Sequence, residues 1–259
     1  MIDFHSHLIP GVDDGAQTLA ETRAGLAAFA AQGVRTVVTT PHLQASQLAR
    51  PAEVEAFFAL LDPAWEAMRA LGAAEFPEMR LARGLEVMLD TPAPDLSDPR
   101  VRLAGTPFVL VEFPFMAVPP NATQAVFELK MRGWTPIIAH PERYANLAHP
   151  DATAGWKRAG AHLQVNAGSL VGKYGPDPRR LAWGLLRRGL ADYLSSDYHA
   201  RGSIHLARAR AALEEMGAGE QARLLLEENG ARMLAGEAPL PVPPLAERRT
   251  FWQKLFGRR

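Results

Sequence analysis

The chain has 259 residues, 47% of them hydrophobic, enough for one large domain or two small ones with a substantial core. Acidic and basic residues balance at 28 each, so no global basic field exists to hold nucleic acid. There is no cysteine, which excludes a disulfide scaffold, a thiolate metal site and a cysteine nucleophile.

In chain order, the apolar run Ile2–Phe4 reads as a strand and leads into a loop carrying His5, His7, Asp13 and Asp14. No basic-then-apolar leader precedes that strand and no apolar run approaches the ~18 residues of a membrane span, so a cytoplasmic protein is expected. A helix over Leu19–Gln32 stops at Gly33, before a strand at Arg35–Thr39. A second helix, Pro51–Leu71, stops at Gly72 and is followed by strands at Arg80–Val87 and Phe108–Glu112. Three helix–glycine–strand units follow. They are Thr123–Arg132 with Pro136–Ala139, Ala152–Ala159 with His162–Val165, and Pro178–Arg188 with Asp192–Ser195. This alternation is the βα pattern of a parallel sheet, and seven strands suggest a closed or nearly closed barrel, with an open doubly wound sheet as the alternative. Helical segments at Ile204–Met216 and Gly219–Glu228 come next. Pro239, Pro241, Pro243 and Pro244 then mark an extended linker, dividing a domain at 1–236 from a tail at 237–259. In Leu245–Arg259, Phe251, Trp252, Leu255 and Phe256 share a helical face among Arg248, Arg249, Lys254, Arg258 and Arg259. That face suits a peripheral membrane contact or a docking helix, against the plainer reading of a tail that packs on its own barrel or stays disordered.

Function in barrels and open α/β sheets gathers at the C-terminal ends of the strands. In this chain those ends carry His5, His7, Asp14, His42, Glu86, Glu112, His140, Asn166, Asp197 and His199. Five of the eight histidines fall there, which scattered core histidines would not do. Residues i and i+2 of an extended chain point the same way, so His5 and His7 can aim two imidazoles at one point. Imidazole plus carboxylate without thiolate suits manganese, iron or zinc. Five histidines and four carboxylates exceed the ligands of one ion, so two or three ions fit the count. Such a cluster suits phosphoester hydrolysis, and Arg143 offers a forked donor to phosphate oxygens, with Arg201 a weaker second. Asp13 competes with Asp14 as a ligand, Asp14 then capping the loop, and Asp14 is preferred. Arg143 paired with Glu142 at the surface is the plain alternative. His149, His162 and His205 read as ordinary surface or core residues.

His5-Ser6-His7-Leu8-Ile9-Pro10-Gly11-Val12-Asp13-Asp14-Gly15, Thr40-Pro41-His42, His140-Pro141-Glu142-Arg143-Tyr144, Ala167-Gly168-Ser169-Leu170 and Ser196-Asp197-Tyr198-His199 occur in one order and spacing. With these motifs the chain resembles the PHP (polymerase and histidinol phosphatase) superfamily. Within it, the chain is similar to the bacterial manganese-dependent protein-tyrosine phosphatases of capsule and exopolysaccharide loci, from Met1 to about Ala235. The resemblance implies a distorted (β/α)7 barrel of the PHP type with C-terminal helices and a basic tail. It implies manganese first, with iron or zinc as alternatives. It also implies one site from His5, His7, Glu86 and Asp197, a second from Glu86, Glu112 and His140, and a third from Asp14, His42 and His199. His42, Asp197, His199 and the phosphate-binding Arg143 are the implied catalytic residues. The implied substrate is the phosphotyrosyl tail of a bacterial tyrosine autokinase. Hydrolysis of a small ester such as histidinol phosphate, or a metal-holding regulatory subunit without turnover, are the competing functions. Three departures bear on substrate preference: Tyr198 where alanine is usual, Asn166 where threonine is common, and Leu43–Leu48 without the expected glycine- and tyrosine-bearing loop. The Tyr198 ring is expected to narrow the pocket mouth.

Overall fold

The computed structural model describes residues 1–91 and 94–245. Its strands are β1 (Ile2–Asp3), β2 (Thr36–Thr39), β3 (His42–Gln44), β4 (Arg80–Arg83), β5 (Glu86–Met88), β6 (Phe108–Glu112), β7 (Thr135–Ala139), β8 (His162–Asn166) and β9 (Tyr193–Ser195). All pair in parallel, in the orders β1-β2-β4 and β3-β5-β6-β7-β8-β9.

The two sheets are one surface broken across two adjacent lines. β2 resumes as β3 after Thr40 and Pro41, and β4 resumes as β5 after Gly84 and Leu85. Gly84 N donates to Thr39 O at 3.0 Å and Glu86 N to Pro41 O at 3.1 Å, so pairing carries across both breaks. Among the described residues this makes seven strand lines in chain order. The expected single strand Arg80–Val87 is therefore two strands. A Cβ on residue 84 would stand 2.7 Å from Leu103 Cδ2 and 2.9 Å from its Cα, so Leu103 presses on the chain where the line kinks and only glycine fits. The first and last lines meet through a parallel bridge between Ser6 and Tyr198, with His7 N to Tyr198 O and Asp197 N to His5 O both at 2.8 Å.

Strand residues alternate between two buried faces, as in a sheet covered on both sides. Phe108, Leu110, Ile137 and Ala139 join Phe4, Val38 and Tyr193 in one apolar cluster, while Val109, Val111 and Ile138 face the larger cluster under the helices. Helix α1 (Leu19–Ala31) starts at Thr18, whose hydroxyl accepts from Glu21 N. The short α2 (Ala45–Leu48) precedes α3 (Pro51–Glu75), which passes through Gly72 instead of ending there. A Cβ at Gly72 would lie 2.3 Å from Leu81 Cδ1, so this glycine serves close helix–strand packing, not a stop.

Helix α4 (Ala122–Met131) and the helices at Ala154–Arg158, Pro176–Arg187 and Leu206–Glu214 stand within two residues or so of expectation at most ends. The last helical segment runs on: Gly219–Arg223 continues through a π-turn at Leu224–Glu228 into Asn229–Leu234. Buried Asn229 then exchanges bonds with Leu240, N to Oδ1 at 2.8 Å and Nδ2 to O at 3.0 Å. The proline-rich segment is thus extended but not detached, with Val242 and Leu245 buried against the body. The tail features expected at Arg248, Arg249, Phe251, Trp252, Lys254, Leu255, Phe256, Arg258 and Arg259 lie outside the described residues. No helix among the described residues is long and apolar enough to cross a membrane.

Candidate metal centre

Each strand line ends by presenting a polar side chain at one end of the barrel. The loop after β1 brings His5 and His7, β3 and β5 open with His42 and Glu86, β6 closes with Glu112, and His140 and Asp197 follow β7 and β9. Glu86 stands at the middle. Its Oε2 is 3.1 Å from His5 Nε2, 3.4 Å from His7 Nε2 and 3.2 Å from His42 Nδ1, and its Oε1 is 3.0 Å from His140 Nε2. Asp197 Oδ1 lies 3.4 Å from His5 Nε2. Glu112 Oε1 is 3.4 Å from His42 Nδ1, and Asp14 Oδ1 is 3.5 Å from His42 Nε2 and 3.4 Å from His199 Nε2.

Three groups of ligand-type atoms result: His5, His7, Glu86 and Asp197; His42, Glu86 and Glu112; and His7, Asp14, His42 and His199. These groups hold eight of the nine residues expected from the sequence, and the ninth, His140, stands beside them with its Nε2 3.0 Å from Glu86 Oε1 and 3.8 Å from Glu112 Oε2. The second group draws on His42 where His140 was expected, with His140 bonded to Glu86, and the third adds His7. His140 (φ 33°) and Asp197 (φ 50°) both hold left-handed backbone, a conformation that costs a non-glycine residue and is kept where the surroundings impose it.

The centre has a closed floor and an open rim. His5, His7 and Glu86 are fully buried, whereas His199, His42 and Asp14 side chains are 26%, 34% and 65% exposed. Buried charges survive only when paired. Burial alone would raise Glu86, but the His5 charge and a His140 hydrogen bond hold its carboxyl well below the usual range. Burial would lower His5, yet Glu86 and Asp197 lift it to about 9. His199 goes the other way, down to about 4, through burial and the His7 charge.

Several orienting partners were not anticipated from the sequence. Gln164 Oε1 lies 2.9 Å from His5 Nδ1. Asp13, not Asp14, caps the loop: it accepts from Gly15 N at 2.9 Å and His42 N at 3.2 Å, and lies 2.7 Å from His7 Nδ1. Burial opposes that carboxylate, but His7 brings its pKa down to about 2. Asn166 Nδ2 donates to Asp197 Oδ2 at 3.1 Å and to the Tyr174 hydroxyl at 3.2 Å. Glu142 is buried, accepting from Ser169 Oγ at 2.6 Å and Asn166 N at 3.0 Å, instead of meeting Arg143 at the surface. Arg143 donates to Asp197 Oδ2 and stacks over the Tyr174 ring, 4.3 Å from its centroid. The signal for Gln164 was its place two residues before Asn166 on the same strand face.

Arg201 donates to the Asp14 carbonyl. His162 sits beside Asp192 at the far end of the strands, and His149 caps the turn at Pro150–Thr153. Tyr198 does not narrow the mouth. It is 7% exposed and turned into the core, edge-on to Phe29 at 5.7 Å, in space left by Gly25 of α1. Leu43–Leu48 forms the end of β3 and α2, and Leu43 helps wall a cleft beside His42.

The residues suit divalent ions on their own terms. His5 Nε2, His7 Nε2, His42 Nδ1 and Glu86 Oε2 are buried polar atoms with no hydrogen-bond partner, all pointing into one small volume. Such atoms are costly unless something outside the protein completes them, and imidazole with carboxylate is the donor set of hard and borderline divalent cations.

Residues 1–235 match the family described as capsular polysaccharide synthesis, CpsB/CapC. The chain is 30% identical to tyrosine-protein phosphatase YwqE of Bacillus subtilis, over 99% of both chains. It is 30% identical to tyrosine-protein phosphatase CpsB of Streptococcus pneumoniae, over 77% of this chain and 83% of the relative. Its fold matches a crystal structure of the YwqE and CpsB metal-dependent tyrosine phosphatases with a TM-score of 0.81, 29% identity, and coverage of 96% of this chain and all of the other. An organophosphorus hydrolase shares the fold more distantly, at a TM-score of 0.50 and 16% identity.

Proposed function

This chain belongs to the CpsB/CapC family, and from that premise we infer that its histidine–carboxylate centre hydrolyses phosphotyrosine in proteins. It is a metal-dependent tyrosine-protein phosphatase of the capsule-synthesis type. The observation that carries the reading is the set of partnerless buried atoms on His5, His7, His42 and Glu86.

The ligands proposed are His5, His7, Asp14, His42, Glu86, Glu112, His140, Asp197 and His199, holding two or three ions, manganese first and iron or zinc as alternatives. Bound there, the ions would supply Lewis acidity to the attacking and leaving oxygens of an in-line displacement. The chain's own residues do the rest. Asp13 and Gln164 hold the outer nitrogens of His7 and His5, which leaves each Nε2 lone pair facing inward. Arg143, steadied by the Tyr174 ring and Asp197, presents its guanidinium toward the phosphoryl oxygens, where charge grows in the transition state. His42 and His199 stand at the rim where the ester oxygen departs, and a phenolate needs little help from an acid. The proposed substrate is the phosphotyrosyl tail of a bacterial tyrosine kinase governing capsule or exopolysaccharide synthesis. The proposed setting is the cytoplasm, without nucleic acid. Residues 1–236 are proposed as the phosphatase domain and 237–259 as its appendage.

The test is phosphate release from a phosphotyrosyl peptide with Mn²⁺, beside a chelator control, a phosphoseryl peptide and histidinol phosphate. Chelator-sensitive turnover confined to phosphotyrosine is expected. Turnover of histidinol phosphate alone would overturn the substrate, and no turnover by metal-loaded protein would overturn the enzyme.

A further inference from the structure

A cavity of about 510 Å³ opens beside the rim of the centre, within the roughly 300–1,000 Å³ of sites that take small organic groups. Asp13, Asp14 and His42 border it, Val12, Leu43, Phe57 and Met88 form its apolar wall, and Gln44 and Gln47 complete the lining. Leu43 is buried, and the other three residues of the apolar wall are half-buried. We propose that this cavity is the subsite for the tyrosyl ring, and that Phe57 and Met88 make the enzyme select aryl over alkyl phosphate esters. The proposal rests on the phosphotyrosine reading and deepens it.

A phosphoryl group at the centre must leave its organic substituent on the open side, because the floor of His5, His7 and Glu86 has no exposed surface. Two directions then differ in chemistry. Toward Asp197 stand Arg143 and Asn166, donors fit for phosphoryl oxygens, and the face of the Arg143 guanidinium is already covered by the Tyr174 ring. Toward His42 and Asp14 stands the cavity with its wall of Val12, Leu43, Phe57 and Met88. The ring of an aryl ester is joined directly to the ester oxygen, so with phosphorus held beside His42 the ring enters the cavity and sheds water against Phe57 and Met88. A phosphoserine places a single methylene and then peptide backbone at the same point. It cannot fill the cavity, and it leaves the Phe57 and Met88 surfaces in water.

The experiment is steady-state kinetics of the full-length, Mn²⁺-loaded protein on a phosphotyrosyl peptide, with inorganic phosphate as competitive inhibitor. Phe57→Ala should lower kcat/KM about tenfold, chiefly through KM, by removing apolar contact with the ring. Met88→Trp, which fills the cavity, should lower it at least as far. In both, the inhibition constant of inorganic phosphate should stay within about twofold of wild type, which also reports an intact centre. Wild-type kcat/KM in both variants overturns the subsite while leaving the phosphatase standing. A phosphate constant that weakens in step with kcat/KM overturns it as well, since these residues would then shape the centre and not hold the ring. A wild-type protein inert on the phosphotyrosyl peptide overturns both readings.

Discussion

The two ends of the barrel each bury a cluster of carboxylate and histidine, and they are built to opposite rules. At the end where the strands begin, Asp192 takes Lys157 Nζ at 2.7 and 2.6 Å and Leu163 N at 2.8 Å, with His162 Nδ1 at 3.7 Å. Both of its oxygens are answered by the protein, although His162 Nδ1 is itself without a hydrogen-bond partner. At the other end, Glu86 and its histidines leave buried atoms unanswered. A buried carboxylate whose oxygens the protein answers belongs to the architecture, whereas four unanswered atoms converging on one volume are shaped for a third party.

Breaking the open cluster should cost most. Glu86→Gln is expected to lower kcat by roughly 10³-fold or more, the scale of losing a main electrostatic element of a site. Mn²⁺ should raise the melting temperature of wild type, by mass action, and fail to raise that of Glu86→Gln. Calorimetric scans with and without metal check both statements. Asp192→Asn should do the reverse. It should destabilise folding by about 2–4 kcal/mol, because it strips the partner from a half-buried ammonium, yet keep kcat and the metal-dependent shift. Urea unfolding beside an activity assay separates the two.

Acid sharpens the contrast. Burial pushes the Asp192 carboxyl up, but His162 and Lys157 prevail and hold it below its ordinary value. Its stabilisation is therefore present above the unfolded pKa of about 3.9 and disappears as pH falls through the lower folded value. The stability gap between wild type and Asp192→Asn should narrow below about pH 4, measured by denaturant titration at a series of pH values. The smallest effect expected is for Arg143→Lys, roughly tenfold in kcat/KM, since lysine keeps the charge but loses the fork and the stacking on Tyr174. An unchanged rate there would remove Arg143 from phosphate binding.

The positions around the centre were legible because strand ends are set by local pattern, and a ligand at the end of a strand is carried wherever the strand goes. His5, Glu86, His140 and Asp197 needed only the βα rhythm to be placed. What stayed hidden depends on partners far along the chain. The break at Gly84 is imposed by Leu103, the passage of α3 through Gly72 by Leu81, and the continuation past Glu228 by the π-turn that leads to Asn229 and its hold on Leu240. Asp13 and Asp14 are alike in sequence, and only the fold of the loop turns the first onto His7 and the second to the rim. A surface pair of Glu142 with Arg143 stayed open as the plain alternative because nothing local reveals that Ser169 and Asn166 wait beneath Glu142.

The room that Tyr198 occupies has an evolutionary side. Even an alanine at position 25 would put its Cβ 2.6 Å from Leu8 Cδ2 and 3.2 Å from Tyr198 Cε1. Position 25 is therefore coupled first to Leu8, which must move aside for any side chain there, and then to Tyr198, whose ring must give by a few tenths of an ångström. A substitution beside Asp197 is thus felt by α1, and the history of that helix enters the tolerance of the motif.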